Sequence, residues 1–197
     1  DIGITRDGVV VIHHDRGLNP DTARGLHGRW LDLPGPLISR TSFEELSKYD
    51  VGRTRPGSDY AKRFPQQKPI DGTRIPRLAD LFALVERAGN RAVRFNIETK
   101  IAQDAPHDTL PPGPFVRALI AEVRKAGLEA RTTIQSFDFR TLEVVQREAP
   151  GIATSYLTQK QNGAAVPRMI RQAGGSAWSP AFSDLDAAAL AEARALG

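Results

Sequence analysis

The fold is decided by residues 93–100, which read VRFNIETK. Because strand side chains alternate between faces, Asn96, Glu98 and Lys100 share one face and the apolar residues share the other. A parallel strand that is buried on both faces is normally apolar throughout, so polar residues at its carboxyl end predict a ligand site. The alternative interpretation is a solvent-exposed edge strand whose glutamate and lysine pair with each other.

On the carboxyl side of this stretch, helical and strand patterns alternate to the end of the chain. Apolar spacing predicts helices over residues 78–88, 115–125, 139–147, 164–172 and 185–196. We expect Ser183 to cap the last helix, with Asp186 at its third position. Strands are predicted over residues 93–98, 132–135, 152–157 and 176–179. This order indicates parallel strands with right-handed crossovers, in a β/α barrel or an open doubly wound sheet. No Gly-rich phosphate fingerprint follows a strand, which disfavours a Rossmann fold.

The part of the chain before residue 75 has a different composition. A β-branched strand over residues 9–12 follows the turn pair Asp7-Gly8 and ends at two histidines. Residues 16–74 are rich in Pro, Gly and Arg and show little periodicity, which predicts a long loop. Ser42 and Glu45 have the spacing of a capping box that opens a short helix within it. Loops of this length are usually functional.

Composition limits the classes of function. The 197 residues include no cysteine, which excludes disulfides, zinc–thiolate sites and cysteine nucleophiles. No run approaches the ~18 apolar residues of a membrane span, so we expect no stable membrane insertion. The formal net charge is +4, without a run of five or six basic residues, so we expect no nucleic-acid partner. A mild basic excess suits an anionic small-molecule substrate. The oligomeric state is not set by these features.

Carboxylates, an imidazole and a lysine lie at several predicted strand ends. Alternation sends His13 and His14 to opposite faces, so we expect at most one of them in a site, and a lone histidine is more often structural. Carboxylate oxygens bind Mg²⁺ or Ca²⁺, and a lysine donates to phosphate oxygens. A histidine can protonate a leaving alkoxide near neutral pH. Together these residue types indicate phosphodiester cleavage.

Four motifs, in order, resemble those of the glycerophosphodiester phosphodiesterase family. They are Thr-x-Asp-Gly, an apolar strand and His-Asp at residues 5–15, Ile-Pro-x-Leu at 75–78, Asn-Ile-Glu-x-Lys at 96–100 and Ser-Phe-Asp at 136–138. The resemblance implies a TIM-type (β/α)8 barrel. It also implies hydrolysis of glycerophosphodiesters to sn-glycerol 3-phosphate and an alcohol, with a divalent cation, Mg²⁺ or Ca²⁺.

Carried over by position, the resemblance implies metal ligands at Asp1 and Glu98, an acid/base histidine at His14 and phosphate binding by Lys100. It puts three further residues near the site without a role: Asn96, Gln135 and Phe137. The family's second histidine, the partner glutamate of the metal pair and the first and last strand–helix pairs have no counterpart in residues 1–197. We therefore expect one incomplete barrel domain with a long loop insertion at about 16–74.

Two other functions stay open. The first keeps the site but acts on an acyl-bearing substrate, as a lysophospholipase D or sphingomyelinase D-like enzyme. It requires an apolar groove, for which the loop offers Trp30, Leu31, Leu33, Leu37 and Ile38. The second is a non-catalytic barrel that binds phosphorylated polyols. The insertion resembles that of secreted or periplasmic family members, so we expect a periplasmic or secreted location, with a cytoplasmic one as the alternative.

Overall fold

The computed structural model describes residues 1–32, 35–161 and 163–197. Its strands are β1 (Ile2–Ile4), β2 (Val10–Ile12), β3 (Phe95–Glu98), β4 (Thr132–Ser136), β5 (Ala153–Thr158) and β6 (Ala177–Pro180). Its α-helices are α1 (Phe43–Leu46), α2 (Asp59–Arg63), α3 (Leu78–Arg87), α4 (Pro112–Lys125), α5 (Phe139–Glu148), α6 (Ala165–Gln172) and α7 (Ala187–Leu196). The chain divides into two compact units. We call residues 1–89 with 104–111 the loop unit, and residues 90–103 with 112–197 the sheet unit.

The sheet unit contains a parallel sheet of order β3-β4-β5-β6. Helices connect the successive strands, so the alternation predicted from the sequence is confirmed. Residue pairing puts Glu98 opposite Gln135, and Gln135 opposite Ser155. The other face of the sheet carries apolar side chains such as Ile97 and Ile134, which are buried. The register thus gathers polar side chains on one face, as period-two alternation requires.

The loop unit is built on an antiparallel pair, in which Ile2 lies opposite Ile12. The turn between the two strands needs a left-handed residue, and Gly8 supplies it with φ +82°. Residues 16–74 are not structureless, because their apolar side chains return to β2. The buried cluster consists of Val11, Leu18, Ala23, Ile38, Leu46 and Ile75. The insertion therefore has a small core of its own beside the hairpin.

Local signals account for where helices begin. The capping box of α1 is confirmed, since Ser42 Oγ accepts from the Glu45 amide and the Glu45 side chain returns to the Ser42 amide. The expected cap of the last helix is wrong. Asp186, not Ser183, caps α7, and its Oδ1 accepts from Ala189 N at 2.7 Å.

The reason for the later start of α7 is the backbone at Leu185. This residue is extended, with φ −86° and ψ 113°, so the helix cannot begin before it. Helix α2, capped by Ser58, lies inside the segment predicted as loop. With five residues it is too short to display an apolar period. Helix α4 begins at Pro112, three residues before the apolar pattern, because proline is favoured in a first helical turn.

In the described part of the chain, no helix combines the length and the apolar character needed to cross a bilayer.

Candidate active site

In the loop unit, β2 ends directly before His13, His14 and Asp15. The His14 side chain is 64% exposed, and its Nδ1 lies 2.7 Å from Asp15 Oδ1. The second oxygen of Asp15 accepts from Asn19 Nδ2 at 3.1 Å. Asn19 thus orients Asp15, and Asp15 orients the imidazole. With the proton of the neutral ring on Nδ1, facing the carboxylate, Nε2 is the atom that gains and loses a proton.

The Asp15 carboxylate is kept ionised. Burial alone would raise its pKa, but hydrogen bonds from His14 and Asn19 outweigh burial and hold the pKa below its ordinary value. A carboxylate at Nδ1 fixes the orientation and tautomer of the imidazole, as in other histidine–carboxylate pairs. Sequence reasoning gave no role to Asp15 or Asn19. The available signal was the aspartate that directly follows the histidine.

His13 lies in a different environment from its neighbour. Its Nε2 is 3.3 Å from the carbonyl oxygen of Gly17. Burial lowers the pKa of His13, although the nearby charge of Asp15 opposes the effect. A half-buried, neutral imidazole bonded to the backbone is a structural residue. Of the two adjacent histidines, His14 is therefore the one suited to proton transfer.

Asp1 is exposed and lies at the histidine end of the hairpin, because its carbonyl oxygen accepts from His13 N at 3.2 Å. The structure therefore brings Asp1, His14 and Asp15 to one end of the loop unit. Asp1 contributes a carboxylate there, which is the donor type that Mg²⁺ and Ca²⁺ prefer.

In the sheet unit, four of the residues singled out from the sequence come together at β3 and β4. Lys100 Nζ lies 2.8 Å from Glu98 Oε1, and these side chains are only 21% and 12% exposed. Asn96 Nδ2 donates to Gln135 Oε1 at 2.9 Å on the same face. Phe137 follows β4 and is exposed. The residues form a polar edge at the carboxyl ends of two parallel strands, where α/β proteins bind ligands.

The alternative of an exposed edge strand agrees with part of this geometry. β3 is the outer strand of the described sheet, and the Glu98–Lys100 ion pair forms. Glu98 is nevertheless buried. A solvent-exposed edge strand does not explain this burial, so the site interpretation accounts for more of the observations.

Between Glu98 and Lys100, Thr99 anchors the end of β3 in the protein interior. Its hydroxyl lies 2.9 Å from Ser136 Oγ and 3.0 Å from Thr141 Oγ1. All three residues are buried. Asp138 N donates to Ser136 Oγ at 3.0 Å, and Thr141 Oγ1 donates to Asp138 O at 2.7 Å. This hydroxyl cluster ties β3 to β4 and to the start of α5, and so fixes the backbone that carries the ion pair.

The chemistry of the donors suits a hard divalent cation. Asp1 and Glu98 offer carboxylate oxygens, and the sequence contains no thiolate that would favour a softer metal. In the ranges that the structure covers, no three His, Asp or Glu side chains assemble into a metal cluster.

Comparison with known proteins identifies a family. The model of the glycerophosphoryl diester phosphodiesterase family matches residues 1–197. A curated glycerophosphodiester phosphodiesterase of Caldanaerobacter subterraneus is 28% identical over 159 residues, which are 81% of this chain and 53% of the relative. The chain therefore spans about half the length of this relative.

Solved structures agree with that match. A Silicibacter pomeroyi DSS-3 protein that carries the glycerophosphoryl diester phosphodiesterase name is 32% identical, with a TM-score of 0.91 over 100% of this chain and 69% of its own. An Oleispira antarctica phosphodiesterase, solved with the product sn-glycerol 3-phosphate, is 20% identical, with a TM-score of 0.71 over 100% of this chain and 68% of its own. The expected TIM-type α/β fold is thereby confirmed.

Proposed function

The chain belongs to the glycerophosphoryl diester phosphodiesterase family, and we propose that its protein hydrolyses glycerophosphodiesters to sn-glycerol 3-phosphate and an alcohol. The observation that carries the proposal is the His14 imidazole held by Asp15 at 2.7 Å, directly after a strand. The product bound to the Oleispira antarctica relative supports the substrate class.

In the proposed reaction, His14 transfers the proton. Water forms the new bond to phosphorus and gives up a proton to the solvent, the bond between phosphorus and the alcohol oxygen breaks, and that oxygen takes up the proton from His14 Nε2. Asp15 stabilises the protonated ring before the transfer, and Asn19 keeps Asp15 in place. Exposure of the His14 side chain supports this role, because the proton must reach a group outside the protein interior.

We propose that Glu98 and Lys100 bind the charged groups of the reaction, the cation and the phosphate. Lys100 would donate to a phosphate oxygen, and the buried position of the pair supports a strong interaction because water screens it little. Asp1 and Glu98 would hold the divalent cation, Mg²⁺ or Ca²⁺. Bound there, the cation supplies positive charge beside the phosphate. Asn96, Gln135 and Phe137 would line the same region without taking part in a chemical step.

The experiment that tests the proposed function uses full-length protein and glycerophosphocholine. We expect release of glycerol 3-phosphate, loss of release after exhaustive treatment with EDTA, and recovery on addition of Mg²⁺ or Ca²⁺. Unchanged hydrolysis after chelation would remove the cation from the proposal. Absence of hydrolysis, with retained binding of glycerol 3-phosphate, would favour the non-catalytic barrel instead.

The acyl-bearing alternative has less support from the loop. Of the apolar residues expected to form its groove, Ile38 is buried in the core and Trp30 packs on the Arg24 guanidinium at 5.6 Å. Leu33 lies outside the described residues. Leu31 lines a surface depression of about 520 Å³, but Arg40, Glu45 and Lys48 line it too. A panel of phosphodiesters with and without acyl chains separates the two activities.

A periplasmic or secreted location is proposed on the resemblance of the insertion alone. Fractionation of cells that express the full-length protein tests it. Recovery in the cytoplasmic fraction would overturn the proposed location without affecting the proposed reaction.

A further inference from the structure

The charge of the chain is concentrated in one part of the loop unit. Residues 53–74, which we call the basic loop, contain six Lys or Arg and two Asp. Their excess of four positive charges equals the formal net charge of the whole chain, +4. The remaining residues therefore carry equal numbers of positive and negative charges, and the basic loop carries the whole positive excess.

The basic loop also exposes apolar side chains. Every residue from Lys62 to Arg74 is exposed. Within this run Phe64 is 44% exposed and Ile70 is 69% exposed. A surface depression of about 620 Å³ lies beside Phe64 and is lined by Thr54, Tyr60, Arg63, Phe64, Pro65, Gln66 and Gln67. Cations and apolar groups thus share one stretch of surface.

This surface is held in shape at its base. Asp50 accepts from Gly52 N at 2.8 Å and from Gly72 N at 2.9 Å. Arg53 forms two hydrogen bonds to the Asp71 carboxylate, at 2.6 and 2.8 Å. Gly52 lies so close to Ile70 that a Cβ atom there would come within 1.8 Å of the Ile70 carbonyl oxygen. The basic loop is therefore ordered while its apolar side chains stay in water, which costs free energy unless something covers them.

We propose that the basic loop docks the protein on the surface of an anionic phospholipid bilayer. Phe64 and Ile70 enter the headgroup region, and the cations lie over the lipid phosphates. Interfacial binding of this kind combines buried apolar area with attraction to anionic lipids. It requires no membrane-spanning segment, and it does not depend on the proposed reaction.

The distribution of charge favours this partner. The two carboxylates of the basic loop each pair with a cation inside it, Asp59 with Lys62 and Asp71 with Arg53. The cations in excess are Arg55, Arg63, Lys68 and Arg74. Each cation near an anionic bilayer raises the partition coefficient about five-fold. Four such residues are enough for strong and salt-dependent attachment.

A single-stranded nucleic acid fits the same surface less well. Proteins bind such strands by stacking bases on aromatic rings between basic side chains. The most exposed apolar residue here is Ile70, which has no ring, and Phe64 is already covered on one side by the Arg63 guanidinium at 5.4 Å. An aliphatic side chain gains by entering the acyl boundary of a bilayer and gains nothing from stacking.

The test is vesicle co-sedimentation of the full-length protein. We expect binding to phosphatidylcholine vesicles that contain phosphatidylglycerol, weaker binding at high salt, and little binding to phosphatidylcholine alone. Arg55→Gln/Arg63→Gln/Lys68→Gln removes three of the excess cations and should lower the partition coefficient by about 10²-fold. Its matched control, Arg94→Gln/Lys125→Gln/Arg171→Gln, removes the same charge from exposed positions in the sheet unit and should lower it little.

A second pair of variants tests the apolar contribution. Phe64→Ser/Ile70→Ser should lower the partition coefficient by at least about tenfold, because two apolar side chains no longer leave water. The control Leu84→Ser/Met169→Ser changes side chains of similar exposure elsewhere. Turnover of a water-soluble diester should be the same in all four variants.

Three results overturn the proposal. The first is that the wild-type protein does not bind anionic vesicles. The second is that a variant and its matched control lose the same amount of vesicle binding. The third is that the protein binds a single-stranded polynucleotide more tightly than anionic vesicles at the same salt concentration. The first measurement uses the wild-type protein alone, so the proposal stays open to refutation even if a variant does not fold.

Discussion

The loop unit and the sheet unit hold their candidate catalytic residues by different means. In the loop unit, His14 is exposed after a short strand and is oriented by a chain of polar side chains, Asn19 and Asp15. In the sheet unit, Glu98 and Lys100 are nearly buried at the end of a parallel strand, and hydroxyl groups fix the backbone between them.

This difference matches the two kinds of chemistry proposed. A proton donor must reach the leaving group, so an exposed imidazole with one nitrogen fixed is suitable. Groups that hold a cation or a phosphate act more strongly when water is excluded, because charges interact more strongly where the dielectric constant is low. The comparison predicts that substitutions at His14 and the residues that orient it change proton transfer, whereas substitutions at Glu98 and the residues that fix its backbone change cation and phosphate binding.

The largest effect is expected at His14. His14→Ala should lower kcat of the full-length protein by ~10²–10⁴, the usual contribution of general acid–base catalysis. Cation affinity, measured by calorimetry, should be unchanged. His107→Ala is the control, since His107 is an exposed histidine in the same unit. Equal kcat values for His14→Ala and His107→Ala would remove His14 from the reaction.

The next effect is expected at Glu98, on binding. Glu98→Gln keeps the shape of the side chain and removes its charge. It should weaken Mg²⁺ or Ca²⁺ binding by more than the roughly 10–100-fold that loss of an outer partner costs. Glu129→Gln is the control, because Glu129 also forms an ion pair in the sheet unit, with Arg124. Cation affinity that is the same in the two variants would contradict a ligand role for Glu98.

A smaller effect is expected at Thr99, which acts through its neighbours. Thr99→Val removes the hydroxyl and should weaken cation affinity about tenfold, with faster hydrogen exchange in the backbone around residue 99. Thr99→Ser should restore both. The control is Thr154→Val. It removes another buried hydroxyl, that of Thr154 on β5, which accepts a hydrogen bond from Gln146 Nε2 at 3.2 Å. If Thr154→Val weakens cation binding as much, Thr99 has no special positioning role.

Asn19 offers the corresponding test in the loop unit. Asn19→Ala removes the donor to Asp15 and should lower kcat about five-fold, the equivalent of one hydrogen bond of about 1 kcal/mol. The pKa of Asp15 should rise, because one of the bonds that lower it is gone. NMR titration of the carboxyl carbon measures this. A drop in cation affinity with an unchanged kcat would show that Asn19 does not act through Asp15 and His14.

The smallest effect is expected at His13, on stability. Burial lowers the pKa of His13 below the ordinary value of 6.5. Below pH 6.5 the imidazole is therefore protonated in the unfolded chain before it is protonated in the folded chain. The contribution of His13 to stability is complete above pH 6.5 and declines as the pH falls towards the lowered pKa. His13→Gln keeps a donor for Gly17 and abolishes the titration. Free energies of unfolding measured against pH should show a shallower loss in His13→Gln, and parallel curves would refute the burial effect.

Sequence reasoning recovered the sheet unit better than the loop unit. Strand and helix periods are properties of local sequence, so the alternation after residue 75 and the shared face of Asn96 and Glu98 were predictable. A ligand site and an exposed edge strand, the two interpretations of that face, differ in how far Glu98 is buried. Burial depends on tertiary packing, which the local sequence does not show. The hydroxyl cluster of Thr99, Ser136 and Thr141 joins residues about 40 positions apart, so no local pattern indicates it.

The loop unit shows the opposite case. Its short helix α2 and the core beneath the insertion were missed, because residues such as Leu18 and Leu46 contact β2 from scattered positions without a period. The roles of Asp15 and Asn19 were missed for a related reason. Their contacts run between residues one and four positions apart in a loop, where side-chain direction depends on the turn rather than on alternation.

The central proposal is that His14 and Glu98 serve the same phosphodiesterase reaction. A double-mutant cycle on kcat/KM for glycerophosphocholine, with His14→Ala, Glu98→Gln and the double variant, tests it most directly. Residues that act as a unit are far from additive, so we predict that the double variant is about as slow as the slower single variant. Effects that multiply would mean that the two residues act independently, and would contradict the account.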